Sequence, residues 1–353
     1  MDIDWTSSME QSYEYYEIDP ITWKDKKRID NIKSCSISMD SEAVTCGSAS
    51  FEAADIFGEI YIRVYLKIKQ NNKDYRLPLG TFIIQTPSSN FDGKVNNISI
   101  DAYTPLLELK EKMPELGYTV IKNENIMSNA YRLAIENCRA PIIETTSDKI
   151  LQTDFVAQPE DTWLTFLNDL ISKAKYQFGL TDDGKIIFLP IQQIDQLQPK
   201  WTYTDDNSSI LYPEIELKHD IYGIPNVVEV SYTVGGSVLY SRVVNDDPSS
   251  PTSIQSRGRE IVYRETSPSL PGYPTQEMVD EYAENLLKDL NSITCQITYS
   301  HGYCPVRIGD GVRLNYKKAN LIDIKAKVIR QTIRCVSGCE VSETAIFTKK
   351  LWK

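Results

Sequence analysis

Two periods take turns along this chain. Apolar positions that recur at every second residue predict strands, and those that recur every three or four predict helices. Thr275 to Leu290 is helical by that test: Met278, Val279, Tyr282, Leu286, Leu287 and Leu290 share one face, while Glu277, Asp280, Glu281 and Glu284 stay wet. An alternating strand, Ser292 to Tyr299, follows. Then comes Cys304-Pro305-Val306-Arg307-Ile308-Gly309-Asp310-Gly311-Val312, whose glycines suit a tight turn before another strand. This is a helix laid on a sheet, and its first reading is structural.

The rest of the chain alternates between the two periods in blocks. Residues 1–28 are polar and aromatic, with Tyr13, Tyr15 and Tyr16 before Asp19-Pro20, and are expected as an N-terminal arm or an edge strand. Residues 29–104 are expected as a first β-barrel-like domain. It holds a strand at Ile32 to Met39, a polar-apolar connector at Ser50 to Phe57 and a long strand at Glu59 to Lys69. After the turn Asn71 to Asp74 come Tyr75 to Pro78, Leu79 to Pro87, the turn Asp92-Gly93, and Asn96 to Tyr103.

Residues 105–213 are expected as a helical segment with a hairpin and a polar excursion. Short helices are predicted after Pro105 and over Asn125 to Asn137. The clearest carries Trp163, Phe166, Leu167, Leu170, Ile171 and Ala174 in one stripe, with Glu160-Asp161 at its positive end. Tyr176 to Leu180 and Lys185 to Pro190 form a hairpin about Asp182-Asp183-Gly184, and Gln192 to Pro213 reads as a linker or exposed excursion. Residues 214–353 are expected as a second β-barrel-like domain with an inserted helix. It opens on the hairpin Asn226 to Val234 and Val238 to Val244 about Gly235-Gly236. A Pro-rich loop, Asp246 to Pro274, carries one strand near Glu260 to Arg264, and Ile324 to Cys335 with Glu340 to Thr348 makes a last hairpin. The fold class expected is α+β, mainly β.

Composition narrows the function classes. The net charge of −11 opposes a nucleic-acid binder, which needs a basic footprint to displace counterions from phosphates. Tyrosine outnumbers phenylalanine 21 to 9, a bias that suits strands and protein interfaces. No window approaches the ~18 apolar residues that span a bilayer, and the start Met1-Asp2-Ile3-Asp4-Trp5 lacks a secretory signal, so folding in a cytoplasm is expected. Cysteines 35, 46, 138, 295, 304, 335 and 339, odd in number, fit free buried thiols better than a disulfide framework. Cys335-Val336-Ser337-Gly338-Cys339 lacks a second ligand pair for zinc and is read as a hairpin turn.

Candidate chemistry is thin. The carboxylate pairs Glu160/Asp161, Asp182/Asp183, Asp205/Asp206 and Asp246/Asp247 are adjacent in sequence on turns. A glycosidase needs two carboxyl groups facing across a cleft, so these are read as solvated turn residues. His219 and His301 lie in different elements without a hydrolase or zinc-protease context, and there is no phosphate loop. No catalytic, cofactor-binding or metal residue is assigned, and no cofactor is expected. Exposed tyrosines and Trp201, in the stretch Trp201-Thr202-Tyr203-Thr204, could stack on sugar rings or contact a partner, and Arg257, Arg259 and Arg264 form a plausible contact surface.

Four pieces, in this order, resemble the baseplate or tail-tip hub proteins of phage tails, most of all those of phages and prophages of Gram-positive hosts, and the base of VgrG spikes. Leu79-Gly80-Thr81-Phe82-Ile83-Ile84 is similar to the strand that closes the first barrel. Ile98-Ser99-Ile100-Asp101-Ala102-Tyr103-Thr104-Pro105-Leu106-Leu107 is similar to the strand that enters the helical part. The others are Thr162 to Leu170 with Asp183-Gly184-Lys185-Ile186, and Ala283 to Leu287 followed by Ile308 to Val312.

The resemblance implies a structural virion protein of the viral tail. It implies two barrel-like domains per subunit, and a homotrimer that joins a sixfold tail tube to a threefold tip and surrounds the DNA channel. Expected partners are the tail tube or distal tail protein, the tape-measure protein, and tip, spike and other baseplate proteins, with no sequence-specific nucleic-acid binding and no membrane span. The location implied is the virion tail, assembled in the host cytoplasm, with a part in DNA ejection and host cell entry. Phe347 to Lys353 follow directly on the last strand, so no lysozyme or peptidase domain and no catalysis are expected. A tail-associated peptidoglycan hydrolase and a receptor- or carbohydrate-binding tail protein are the alternatives.

Overall fold

The computed structural model describes residues 3–54, 58–91, 93, 96–270 and 273–352. The chain is mainly β, and it divides into two compact units: residues 1–215 with 299–344, and residues 216–298 with 345–353. No helix among the described residues is long and apolar enough to cross a membrane.

In the larger unit one sheet carries most of the strands. Its order runs Asp25–Arg28, Glu10–Ile18, Tyr61–Gln70, Lys73–Phe91, Asn96–Tyr103, Gly47–Ala53, Ile32–Asp40 and Leu321–Arg334. Gly311–Tyr316 pairs antiparallel with Leu321–Arg334 and parallel with Pro199–Thr204. Glu340–Lys350, Ser292–Gly302 and Leu211–Lys218 belong to the same sheet, and the unit boundary falls within each of them.

Several expectations change here. Of residues 1–28, expected as an arm or an edge strand, Asp25–Arg28 is the edge of the sheet, whereas Glu10–Ile18 is an inner strand that pairs with Tyr61–Gln70 from Glu10↔Lys69 to Ile18↔Tyr61 and with Asp25–Arg28 on the other side. Tyr15 anchors the strand in the core, edge-on to Phe51 at 6.2 Å. The connector expected at 50–57 is in part the strand Gly47–Ala53, whose Ala49, Phe51 and Ala53 point inward and whose Ser48, Ser50 and Glu52 do not; residues 55–57 lie outside the described residues. Tyr75 to Pro87 is not two strands but part of one, Lys73–Phe91, with register shifts on both sides. Asp92, of the expected turn Asp92-Gly93, lies outside the described residues.

Tyr61–Gln70 shows why the larger unit holds together. Successive side chains of a strand point to opposite faces. Ile62, Val64, Leu66 and Ile68 enter a core with Phe82, Ile84, Phe51, Ile100, Ile37 and Ile333. Tyr61 and Ile83 enter another, made with Leu109, Met127, Trp163, Phe166, Leu170, Ile171 and Phe188 of the helical segment. Both faces are buried, so the strand reads as a nearly continuous buried run.

The helices of that segment start where side-chain caps allow. Asn125 Oδ1 accepts from Ser128 N at 3.0 Å at the head of Ile126–Asn137. Thr162 and Thr165 form a reciprocal capping box at the head of Trp163–Ser172, a more local signal than the charge of Glu160 and Asp161.

In the smaller unit Val227–Val234 lies between Ser237–Val244, antiparallel, and Val262–Thr266, parallel. Gly235 and Gly236 both take positive φ, +54° and +86°, as a two-residue hairpin requires. The loop 246–274 carries a short helix, Ile254–Arg257, besides its strand. Gln276–Leu290 lays Val279, Ala283 and Leu287 on Val228 and Val230. The six apolar residues grouped on one helix face divide: Val279 and Leu287 are buried, and Met278, Tyr282, Leu286 and Leu290 flank them half-buried. Leu287→Ala should lower the unfolding free energy of this unit by about 2–5 kcal/mol, read as a lower midpoint in urea; an unchanged midpoint would count against this packing.

Candidate functional site

Two knots of polar groups are buried in the larger unit. The first forms where the tip of the Tyr176–Leu180/Ile186–Pro190 hairpin meets the sheet. Arg63 shares a strand face with Tyr61 and Tyr65 and is only 5% exposed, so its guanidinium needs acceptors from elsewhere. The Asp183 carbonyl provides one: it accepts from Arg63 Nη2 at 2.9 Å, Thr81 Oγ1 at 2.9 Å and Trp23 Nε1 at 3.0 Å. Arg63 Nε donates to Thr81 Oγ1 at 2.8 Å, and Asp25 Oδ1 lies 3.6 Å from Nη1. Gly184 fits beside Thr81 because it lacks a side chain: φ is +78°, and a Cβ would stand 2.4 Å from Thr81 Cβ. On the other side of the tip, Asp182 accepts from Arg307 Nε at 2.6 Å, and Arg307 Nη2 donates to Tyr303 Oη at 2.6 Å. The tip thus ties the first strands of the chain to the turn at 303–310.

The second knot is an ion pair. Glu343 is 1% exposed and His301 is fully buried. Glu343 Oε2 accepts from Tyr299 Oη at 2.8 Å and Tyr203 Oη at 3.1 Å, and His301 Nε2 lies 3.4 Å away. Glu343 Oε1 accepts from Gln331 Nε2 at 2.7 Å. His301 Nδ1 donates to Gly302 O at 2.6 Å, Nε2 is 3.0 Å from Tyr203 Oη, and Cys304 Sγ lies 3.9 Å from Nδ1. Burial pulls the His301 pKa down, but the hydrogen bonds with Cys304 and Glu343 and the charge of Glu343 outweigh it, and it is raised to about 10. Burial likewise opposes the charge on Glu343, yet His301, Tyr299 and Gln331 hold its carboxyl below the usual range. The donors around one carboxylate leave it no open position toward a substrate, so the arrangement fixes strands rather than moving protons.

Both knots had a signal in the sequence. Glu343 is in phase with Val341, Ala345 and Phe347, and His301 with Ile293, Cys295, Ile297 and Tyr299, so each is an ionisable residue at an inward position. Arg63 has the same relation to Tyr61 and Tyr65.

The carboxylate pairs and the two histidines singled out from sequence do not come together, although His301 meets Tyr203. His219 is exposed, and His301 is packed in the ion pair. Asp182 takes Arg307, whereas Asp206 and Asp247 accept from Ser208 and Ser249 of their own turns at 2.9 and 2.8 Å. Asp161 accepts from Gln158 N at 2.7 Å, and Glu160 is exposed. Asp205 accepts from Lys318 N at 3.3 Å. The excursion expected at 192–213 contains the strand Pro199–Thr204, in which Trp201 is half-buried and Tyr203, 1% exposed, belongs to the core and offers no platform for sugars. Arg257 donates to Ile224 O and Ile221 O, and Arg264 pairs with Glu229 at 2.6 Å. Cys335 and Cys339 are buried free thiols, and the described residues hold no group of three or more His, Cys, Asp or Glu side chains placed for a metal ion.

No family model matches the sequence, and no curated protein matches it. Solved structures do match, along the full chain. The tail protein from Neisseria meningitidis MC58 superposes with a TM-score of 0.58 at 14% identity, over 97% of this chain and 98% of that one. The prophage MuSo2 tail protein from Shewanella oneidensis gives 0.60 at 10% identity, over 95% and 98%. The chain has the fold of phage tail proteins. A chain of the Francisella PdpA-VgrG complex shares this tail-protein fold at a TM-score of 0.52 and 11% identity, over 97% of this chain and 58% of that one.

Gly184→Ala should cost about 1–3 kcal/mol, because the new Cβ pushes the hairpin tip off Thr81; urea unfolding reads it, and an unaltered midpoint would remove the tip from the tie. Glu343→Gln should cost about 3–5 kcal/mol and also change the pH profile. The raised His301 pKa contributes stability that is whole below its ordinary 6.5 and is lost as pH rises through about 10. The depressed Glu343 pKa contributes stability that is whole above its ordinary 4.5 and is lost as pH falls through the lower folded value. The urea midpoint should therefore drop between pH 7 and 10, and less steeply in Glu343→Gln; equal slopes would refute the charged pair.

Proposed function

We propose that this chain is a structural virion protein: a trimeric baseplate or tail-tip hub that joins the tail tube to distal tip proteins and surrounds the DNA channel. The observation that carries the reading is the end-to-end likeness to tail proteins, in which this chain and each of the first two neighbours cover at least 95% of one another. It is a likeness of the whole arrangement and not of one barrel.

Further features support it. The large sheet ends in strands, Asp25–Arg28 on one side and Leu211–Lys218 on the other, whose outer hydrogen-bonding groups suit strand pairing between subunits. The net charge of −11 suits a channel wall along which DNA slides, since like charge removes the phosphate contacts that hold nucleic acid. The carboxylates weighed for a peptidoglycan hydrolase are mostly engaged by their own turns or by an arginine, and Tyr203 is withdrawn from the sugar-binding reading by burial.

Light scattering of the purified chain over a range of concentrations, with imaging of the same sample, tests the proposal. A ring of three copies with a central hole is the expected result. A compact monomer at every concentration would overturn the self-assembling trimer and direct work to cell-wall cleavage and glycan binding.

A further inference from the structure

The seven cysteines are free, and two of them face each other. The antiparallel ladder between Ile32–Asp40 and Leu321–Arg334 runs through Ile333↔Ile37 and Arg334↔Ser36. One step further Cys335 stands opposite Cys35, with Cys335 N donating to Cys35 O at 2.9 Å. Cys35 and Cys335 lie in phase with Ile37 and Ile333, and all four belong to one apolar core. The two thiols interact: the hydrogen bond with Cys35, and after it burial, push the Cys335 pKa up. Residues opposed in a hydrogen-bonded antiparallel pair have Cα atoms about 5.5 Å apart, inside the roughly 4.4–6.8 Å that a disulfide spans.

We propose that Cys35 and Cys335 are a modification site, a thiol pair that closes into a reversible cross-strand disulfide when the protein meets a small-molecule disulfide such as glutathione disulfide. Cys35 borders an outer groove lined by Ser34, Ser36, Ser50 and Arg334, but both thiols turn to the core and are only 4% and 5% exposed, so a reagent meets them when this end of the ladder opens locally. The Cys35 thiolate attacks one sulfur of the reagent, forming a mixed disulfide and releasing one thiolate. The Cys335 thiolate then attacks the protein sulfur of that bond and releases the second. Two protons pass from the cysteines to the departing thiolates, the cysteines lose two electrons, and the reagent becomes two thiols.

The competing geometries are weaker. Cys339 is near Cys335 but sits across the Ser337-Gly338 turn, where its thiol meets Tyr13. Cys304 is engaged with Tyr203, and Cys138 lies against the Pro105 carbonyl. The Cys35–Cys335 bond would close a loop of ~300 residues, the kind of closure for which a staple constrains the unfolded chain most. It would stay open in a reducing cytoplasm and close outside one. This proposal does not depend on the tail reading.

The test treats the native full chain with glutathione disulfide at pH 7 and pH 9, blocks remaining thiols, and maps peptides without reduction. The expected product joins the Cys35 and Cys335 peptides, lighter by two hydrogens, and forms faster at pH 9 because thiolate, and not thiol, is the nucleophile in each exchange step. The thermal midpoint should rise by about 5–10 °C and return on adding dithiothreitol. Cys339→Ser should keep both effects, and Cys35→Ser and Cys335→Ser should lose them. Free thiols at both positions, a persistent glutathione adduct on either, or a Cys335–Cys339 link would each overturn the proposal, and the wild-type map alone decides it if a variant does not fold.

Discussion

A permanent cation inside a sheet is the constraint on which the larger unit depends. Arg63 cannot be neutralised by losing its proton, and its strand is buried on both faces, so the guanidinium must be met by acceptors brought from other parts of the chain. The carbonyl of Asp183 meets it, shared with Thr81 and Trp23. A backbone carbonyl can stand there only if the hairpin tip has a residue without a side chain next to it, which is Gly184. The helical segment is thereby held at one position and one angle on the sheet. Apolar packing of Trp163, Phe166 and Leu170 supplies the attraction but is tolerant of small slides, whereas three donors converging on one oxygen are not.

The Glu343–His301 pair acts in the same way, and Gln331 links it to the main chain beside Arg307 by donating to Val306 O. Tyr203, Tyr299, His301, Gln331 and Glu343 come from four strands spread over residues 199–350, and each contributes a donor or acceptor to one carboxylate or its partner imidazole. A slip of one residue in any of these strands would turn its polar member outward and leave a charge unpaired in an apolar core. Register is therefore fixed by polarity as well as by hydrophobic phase. An apolar core of the same volume could be as stable, and it would be less particular about which pairing it accepts.

What could be read from the sequence follows the same division. The helices at 126–137, 163–172 and 276–290 and the hairpins about Asp183 and Gly235 were legible because period and turn residues are local. Gly47–Ala53 was hidden by its small residues: Ala49 and Ala53 carry the alternation too faintly beside Phe51. Pro199–Thr204 was hidden by the polar company of Tyr203. Pairing of strands from opposite ends of the chain, Ile32–Asp40 with Leu321–Arg334, has no local signature, since alternation states which face is inward and not which neighbour lies alongside. The polar knots fall between the cases. Arg63, His301 and Glu343 stand in phase with apolar residues, but the partners that make such positions tolerable arrive only with the fold.

Neither of these two knots leaves a group open to react. Catalytic groups need an approach for a substrate and a proton free to move. Here the carboxylate accepts three donors in addition to its imidazolium partner, and the guanidinium faces main-chain carbonyls, so neither has spare capacity. Desolvating such groups costs stability, and the return is a unique alignment of sheet, hairpin and helices. A shift of one residue in register at either knot would turn a buried polar group away from its partners, so the alignment is fixed at both. The chemistry of the interior and the phase of the strands therefore specify the same fold from independent directions: the first by which groups are buried and how they are satisfied, the second by which side chains face inward.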